Sequence, residues 1–222
     1  MKFASENELF DYLESHAYAA VFSDIMDEMG LRHQVISPKS KIKPLRDDFV
    51  TMGRCITLLN VYDGNKEDPY STVIECIDNI TPDSVLVTTG DASMEVGIMG
   101  ELTATALKSR GARGAVVNGY SRDVRNLINM SYPTFAWGPS PIDTTGRVKV
   151  IDYNIPITIG GVTVTPGELI FADLDGIVII PQSQEKEVIS KTLERIQTEN
   201  LVRKELAQGK KMREVWDKYN VL

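Results

Sequence analysis

Gly97-Ile98-Met99-Gly100-Glu101-Leu102 and, further on, Asn118-Gly119-Tyr120-Ser121-Arg122-Asp123 are the stretches that decide how this chain reads. The first is a glycine turn that opens a helix. The second is a strand that ends in a tight turn and sets an arginine beside an aspartate. Between them, Glu101 to Arg110 has a helical pattern, Gly111 stops it, and Ala112 to Val117 forms a short apolar strand. The apolar run Val85-Leu86-Val87-Thr88-Thr89 precedes both, and Gly90-Asp91 ends it and begins a loop. Strand, glycine loop, helix, strand predicts a parallel βαβ unit. Ligands of open α/β sheets sit beyond the carboxyl ends of such strands, and both stretches fall at that edge. Together they offer backbone N–H donors, a planar cation and a carboxylate, which suit a small oxo-acid anion held against a divalent metal.

Residues 6–30 have a helical period in Leu9, Tyr12, Leu13, Ala19, Val21, Ile25, Met26 and Met29, stopped by Gly30. Asp24, Asp27 and Glu28 read as its solvated face. Residues 54–62 read as a strand with a turn at Asp63-Gly64-Asn65, and Ser71 to Asn79 as a short helix. Residues 133–181 are β-rich, with strands expected at 148–151, 157–159, 162–164, 168–173 and 177–181. Gln184 to about Ala207 is helical, and Gly209 breaks it. The chain shows no internal repeat, low-complexity segment or interdomain linker. The expected organisation is one α/β domain over 1–183 followed by a helical extension over 184–222.

The 222 residues are 42% hydrophobic, enough to bury one large core. No run of 18 apolar residues is present and the first residues form no apolar signal segment, so no membrane span and a cytoplasmic location are expected. A net charge of −7 argues against broad nucleic-acid binding. Cys55 and Cys76 read as buried, reduced thiols. With His16 and His33 the only histidines, a soft-ligand zinc site or a histidine-based nucleophile is disfavoured. Any metal is directed toward oxygen ligands, hence Mg²⁺ or Mn²⁺.

Each candidate has an ordinary alternative. Gly97 and Gly100 also suit plain strand-to-helix punctuation; the functional reading gives the first-turn N–H groups of Leu102, Thr103, Ala104 and Thr105 to a carboxylate. Arg122-Asp123 also suits a surface ion pair, but Arg122 can grip a carboxylate or enolate in two places and Asp123 is a hard-oxygen metal ligand. Asp173 and Asp175 read as a turn rather than a metal pair. Glu199 and Arg203, four apart, read by themselves as a helix ion pair.

Taken in order, these residues resemble the aldolase and RraA-like family. It includes the 4-hydroxy-4-methyl-2-oxoglutarate/4-carboxy-4-hydroxy-2-oxoadipate aldolases and a regulator of ribonuclease E activity. The matching segments are Val21 to Gly30, Gly97 to Leu102, Gly119 to Asp123, Val164 to Pro181, then Glu199, Arg203, Leu206 and Gly209, and the ending Lys218 to Leu222. The resemblance implies an α-β-β-α sandwich of the swivelling β/β/α type with an extended C-terminal helix. It implies trimers or hexamers with a pyruvate site and a divalent metal at a subunit interface. Arg122 would then bind the keto or enolate oxygen, and Asp123 would ligate Mg²⁺. Glu101 would contact Arg122 or the metal's water, and the amides after Gly100 would hold the pyruvate carboxylate. Glu199 would reach the metal site from a neighbouring subunit, on which the C-terminal extension would pack.

The implied activity is class II aldol cleavage of a 4-hydroxy-2-oxo acid to pyruvate, with oxaloacetate decarboxylation as a side reaction. The implied partners are a small oxo acid and further copies of the chain, with no nucleic acid or membrane. The rival is a non-catalytic regulator that binds a ribonuclease; the regulators look shorter, without a helix like that of 184–222. A quinone methyltransferase is rejected because no glycine-rich loop suits its cofactor. One departure stands out: many members carry Asp where this chain has Asn118, which bears on substrate choice.

Overall fold

The structure, a computed structural model, describes residues 2–90 and 94–221. Asp91 of the expected loop and Leu222 of the family-like ending lie outside the described residues. The strands are β1 (Lys43–Pro44), β2 (Thr51–Tyr62), β3 (Ser84–Thr88), β4 (Gly97–Met99), β5 (Gly114–Val117), β6 (Tyr120–Ser121), β7 (Thr134–Ala136), β8 (Val148–Tyr153), β9 (Ile157–Ile159), β10 (Val162–Val164), β11 (Leu169–Ala172) and β12 (Ile177–Ile180). The helices are α1 (Glu6–His16), α2 (Ala19–Glu28), α3 (Ser71–Asp78), α4 (Glu101–Ser109), α5 (Val124–Asn129), α6 (Glu185–Ala207) and α7 (Met212–Tyr219).

The βαβ unit is present. β3 and β5 run parallel, with Val85 opposite Gly114 and Thr88 opposite Val117, and α4 lies between them in sequence. The main sheet has the order β1-β7-β5-β3-β2-β11-β12, and β8 also pairs with β2. β2 is long enough to hold β11 along its first half and β8 along its second.

Side-chain alternation shows how the layers stack. Cys55, Val85, Val87, Val116, Ile170 and Ile179 point to the inner face, where the β9–β10 hairpin covers them. Their neighbours Leu58, Leu86, Ala115 and Val117 point outward onto α3, α4 and α5. Met52, Leu169, Phe171, Val178 and Ile180 meet α1, α2 and α6. Because the sheet curls, helices cover the outside of both halves, and the result is the expected α-β-β-α sandwich. Residues 34–45 stitch the two outer strands. Ile36 N donates to Ile177 O and Ile179 N to Gln34 O, while β1 pairs with β7 and Leu45 N donates to Thr134 O. Both outer strands of the curled sheet thus gain backbone partners.

The helix expected over residues 6–30 is two helices. Ala17 and Tyr18 are extended, and the carboxylate of Asp173 accepts the N–H of Ala19 at 2.8 Å, capping α2 from far along the chain. The other Asp173 oxygen accepts from Asp175 N at 2.9 Å and Gly176 N at 3.2 Å. The turn reading of Asp173-Leu174-Asp175 therefore holds. β2 begins at Thr51, three residues before the expected start, and α5 has no counterpart in the sequence reading. α6 ends near Ala207 as expected, Gly209 follows at φ +83°, and α7 turns back onto it. The first half of α6 belongs to this chain's own body, with Val188 and Ile196 buried against α1 and α2. Both cysteines are free and buried; burial pushes the Cys55 thiol up, and Cys76 up to about 11. Among the described residues no helix is long and apolar enough to cross a membrane.

Candidate active site

The Arg122-Asp123 turn is held at its backbone. β6 pairs in parallel with β4, Gly97 opposite Tyr120 and Met99 opposite Ser121. Arg122 N donates to Met99 O at 2.7 Å, and Ser140 N donates to Ser121 O at 2.8 Å. Asp123 has φ +52°, a left-handed conformation that a short polar side chain tolerates. This geometry turns its carboxylate toward the start of α4, where Oδ2 accepts Glu101 N at 3.2 Å.

The glycines are explained by close approach. A Cβ on Gly97 would lie 2.7 Å from the Cβ of Arg122. A Cβ on Gly100 would lie 2.9 Å from Arg122 Cγ and 3.0 Å from Asp123 Oδ2. Arg122 lies across both positions, so any side chain there would displace it.

Arg122 donates through Nη1 to Asp143 Oδ1 at 2.7 Å, and its Nε lies 3.7 Å from Asp123 Oδ2. Among the described residues its Nη2 has no hydrogen-bond partner, and the side chain is 36% exposed. Asp143 is itself braced: Oδ2 accepts Thr145 N at 3.2 Å, and Tyr70 OH lies 2.8 Å from Thr145 Oγ1. Hydrogen bonding by the Thr145 side chain, then backbone amides and the Arg122 charge, hold the Asp143 carboxyl below the usual carboxylate range against a desolvation penalty. The cleft over these groups has a volume of about 320 Å³ and is lined by Gly97, Gly100, Leu102, Thr103, Arg122 and Asp123, with Tyr70, Asp143 and Thr144 on the far wall.

The structure thus brings together Gly100, Leu102, Thr103, Arg122 and Asp123. Ala104 N is occupied by Gly100 O at 3.0 Å and Glu101 N by Asp123, so the first-turn donors left to a ligand are those of Leu102 and Thr103. The Glu101 carboxylate turns along α4 to accept from Thr105 Oγ1 at 2.9 Å. Glu199 lies on α6, outside the cleft, 3.9 Å from Arg203; burial raises its carboxyl pKa. Asn118 donates to Gly90 O at 3.2 Å and ties down the loop after β3.

Asp143 is the residue that sequence reasoning missed. Asp143-Thr144-Thr145-Gly146 has the composition of an ordinary turn, and only the fold shows that it faces Arg122. Among the described residues no three Asp, Glu, His or Cys side chains cluster as metal ligands.

A model of the RraA-like family, described as Aldolase/RraA, matches residues 19–179. The chain belongs to this family. The match takes in α2, the βαβ unit and the whole cleft. The protein DlpA of Legionella pneumophila is 30% identical over 202 residues, covering 90% of this chain and 32% of DlpA. The chain therefore spans about a third of the length of that relative. A Halalkalibacterium halodurans protein named "Putative 4-hydroxy-4-methyl-2-oxoglutarate aldolase" is 31% identical over 152 residues, 68% of this chain and 70% of that one. Among solved structures, RraAS2 of Streptomyces coelicolor, described as an unusual member of the RNase ES inhibitor RraA family, superposes with a TM-score of 0.78 at 26% identity. That match covers 89% of this chain and 98% of RraAS2. An uncharacterized protein from Pseudomonas syringae superposes with a TM-score of 0.81 over 97% of this chain and 99% of its own; at 22% identity it speaks for the fold alone.

Proposed function

We propose that this RraA-like protein is a divalent-metal-dependent aldolase that cleaves a 4-hydroxy-2-oxo acid to pyruvate and a second carbonyl compound. The observation that carries the reading is Arg122, braced by Asp143 and laid across Gly97 and Gly100 with Nη2 free among the described residues. Cleavage of the C3–C4 bond leaves an electron pair on the pyruvyl unit, and negative charge builds on its C2 oxygen. A guanidinium already fixed by Asp143 meets that charge without reorganising. The N–H groups of Leu102 and Thr103 at the start of α4 suit the substrate carboxylate. Glu101 acts through its backbone N–H, which aims the Asp123 carboxylate.

The donor set fits a water-rich Mg²⁺ or Mn²⁺ ion. Such an ion usually takes only one or two carboxylates, and the Asp123 side chain is 41% exposed at the cleft. Asp123 would hold it, and the ion would supply a second positive charge for the C2 oxygen. Glu199 of a neighbouring copy is the further ligand of this proposal, in a trimer or hexamer joined partly through residues 184–222.

The test is pyruvate release from oxaloacetate and from 4-hydroxy-4-methyl-2-oxoglutarate, with Mg²⁺ and with EDTA, for wild type and Asp123→Ala. Metal-dependent release from at least one of the two, lost in the variant, is the expected result. The likeness to RraAS2 favours a second reading, a regulator that binds a ribonuclease. Capture of a ribonuclease by folded protein that turns over neither substrate would favour it.

A further inference from the structure

A side chamber of about 70 Å³ opens behind the cleft, and Tyr70, Ile98, Thr103 and Thr144 line both spaces. It is less than a quarter of the cleft's volume, so it suits a short substituent rather than the body of a substrate. Its inner walls are Leu58, Val73, Leu86, Met99, Val148 and Val150. Among the described residues no charged side chain lines it. Its polar inner residues are already committed: Asn60 Nδ2 donates to Thr88 Oγ1 and to Thr89 O, and Thr88 Oγ1 donates to Thr89 O at 3.3 Å.

Resting on the aldolase reading above, we infer that the substrate is a 4-hydroxy-2-oxo acid whose C4 carries a short, uncharged alkyl group, seated in this chamber. The products are pyruvate and a short aliphatic aldehyde. The C3–C4 bond breaks, its electron pair stays on C3, the C4 hydroxyl loses its proton as the aldehyde forms, and a proton returns to C3. The reaction therefore needs no further reactant.

The chemistry of the walls favours this class over a dicarboxylic one. A carboxylate on C4 would leave water for a space whose described lining holds no cation, and the Thr103 N–H at its mouth already serves the C1 carboxylate, so the charge would be buried unpaired, which is strongly disfavoured. An alkyl group gains instead, and one methylene in an apolar pocket discriminates roughly 10-fold or more. Val73 is the place to intervene, because it is only half buried on α3 and lines the chamber away from Arg122 and Asp123.

The experiment compares kcat/KM, with Mg²⁺ present, for 4-hydroxy-2-oxopentanoate, 4-hydroxy-2-oxohexanoate, 4-hydroxy-2-oxoglutarate and oxaloacetate. Wild type, Val73→Phe and Val73→Arg are assayed. Oxaloacetate releases CO₂ and places no substituent in the chamber, so it reports on the pyruvate end alone. The expected result is at least a tenfold preference of wild type for the two alkyl substrates over the glutarate. Val73→Phe should lose that preference with oxaloacetate turnover intact, and Val73→Arg should gain on the glutarate. Oxaloacetate turnover combined with a glutarate preference, or with no response to either variant, overturns the inference and leaves the aldolase reading standing. Silence with every substrate overturns both.

Discussion

Two arginines flank the central β5 region, and the molecule uses them in opposite ways. Arg113, immediately before β5, is 10% exposed and bonds Glu14, Asp83 and Asp11 through Nε, Nη1 and Nη2. Arg122, just beyond β6, is 36% exposed, is braced by Asp143 on one side and faces an open cleft on the other. The first is saturated by α1 and the loop before β3, and it fastens α1 to the sheet. The second is fixed yet incompletely partnered, which makes it fit to bind something else. Identical side chains therefore differ in role by how many of their donors the fold consumes.

The largest expected effect tests the open arginine. Arg122→Met should lower turnover by roughly 10²–10³, the usual cost of losing one fixed donor to a developing oxyanion. Its midpoint of chemical denaturation should stay close to wild type, because the lost ion pairs are substantially exposed. A large loss of stability with turnover retained would reverse the assignment of roles. Arg113→Met should do the opposite. It leaves Asp11, Glu14 and Asp83 without their shared cation, at about 2–4 kcal/mol for a network between the exposed and buried limits. Turnover per folded molecule should match wild type, measured well below the new midpoint.

The contrast also marks what the sequence reveals. The βαβ unit, α4 and the Arg122-Asp123 turn follow from local period and glycine placement, because their causes lie within a few residues. Gly97 and Gly100 stand out in sequence, but the reason for them, the Arg122 side chain lying across both, is a contact between segments. The break between α1 and α2 is hidden for the same reason: its cap is Asp173, on the far side of the chain. Asp143 is hidden because its turn composition is ordinary and its partner is distant in sequence. Ala104 shows the converse error. Counting first-turn donors from sequence includes its N–H, which the helix already uses.

A smaller effect is expected at Asp143. Asp143→Asn keeps the shape of the brace and removes its charge. Arg122 should lose orientation rather than presence, and about a tenfold fall in kcat is expected, equal to about 1.4 kcal/mol. Rescue should be absent in Asp143→Ala and partial in Asp143→Glu, whose carboxylate can still reach the guanidinium.

The smallest effect is in pH. The carboxyl of Asp143 titrates below its ordinary value of 3.8 in the folded protein, chiefly through hydrogen bonding to Thr145. A depressed folded pKa means that the ionised form contributes stability above the unfolded value, and that this contribution fades as pH falls through the lower folded one. The difference in thermal midpoint between wild type and Asp143→Asn should therefore be full at pH 5 and shrink steadily below pH 3.8. The Arg113 network predicts no such convergence for Asp143→Asn, because none of its carboxylates touches Asp143. No gap at pH 5 would mean that Asp143 braces Arg122 by its shape, which asparagine keeps, and that the open arginine owes its position to Gly97 and Gly100 rather than to charge.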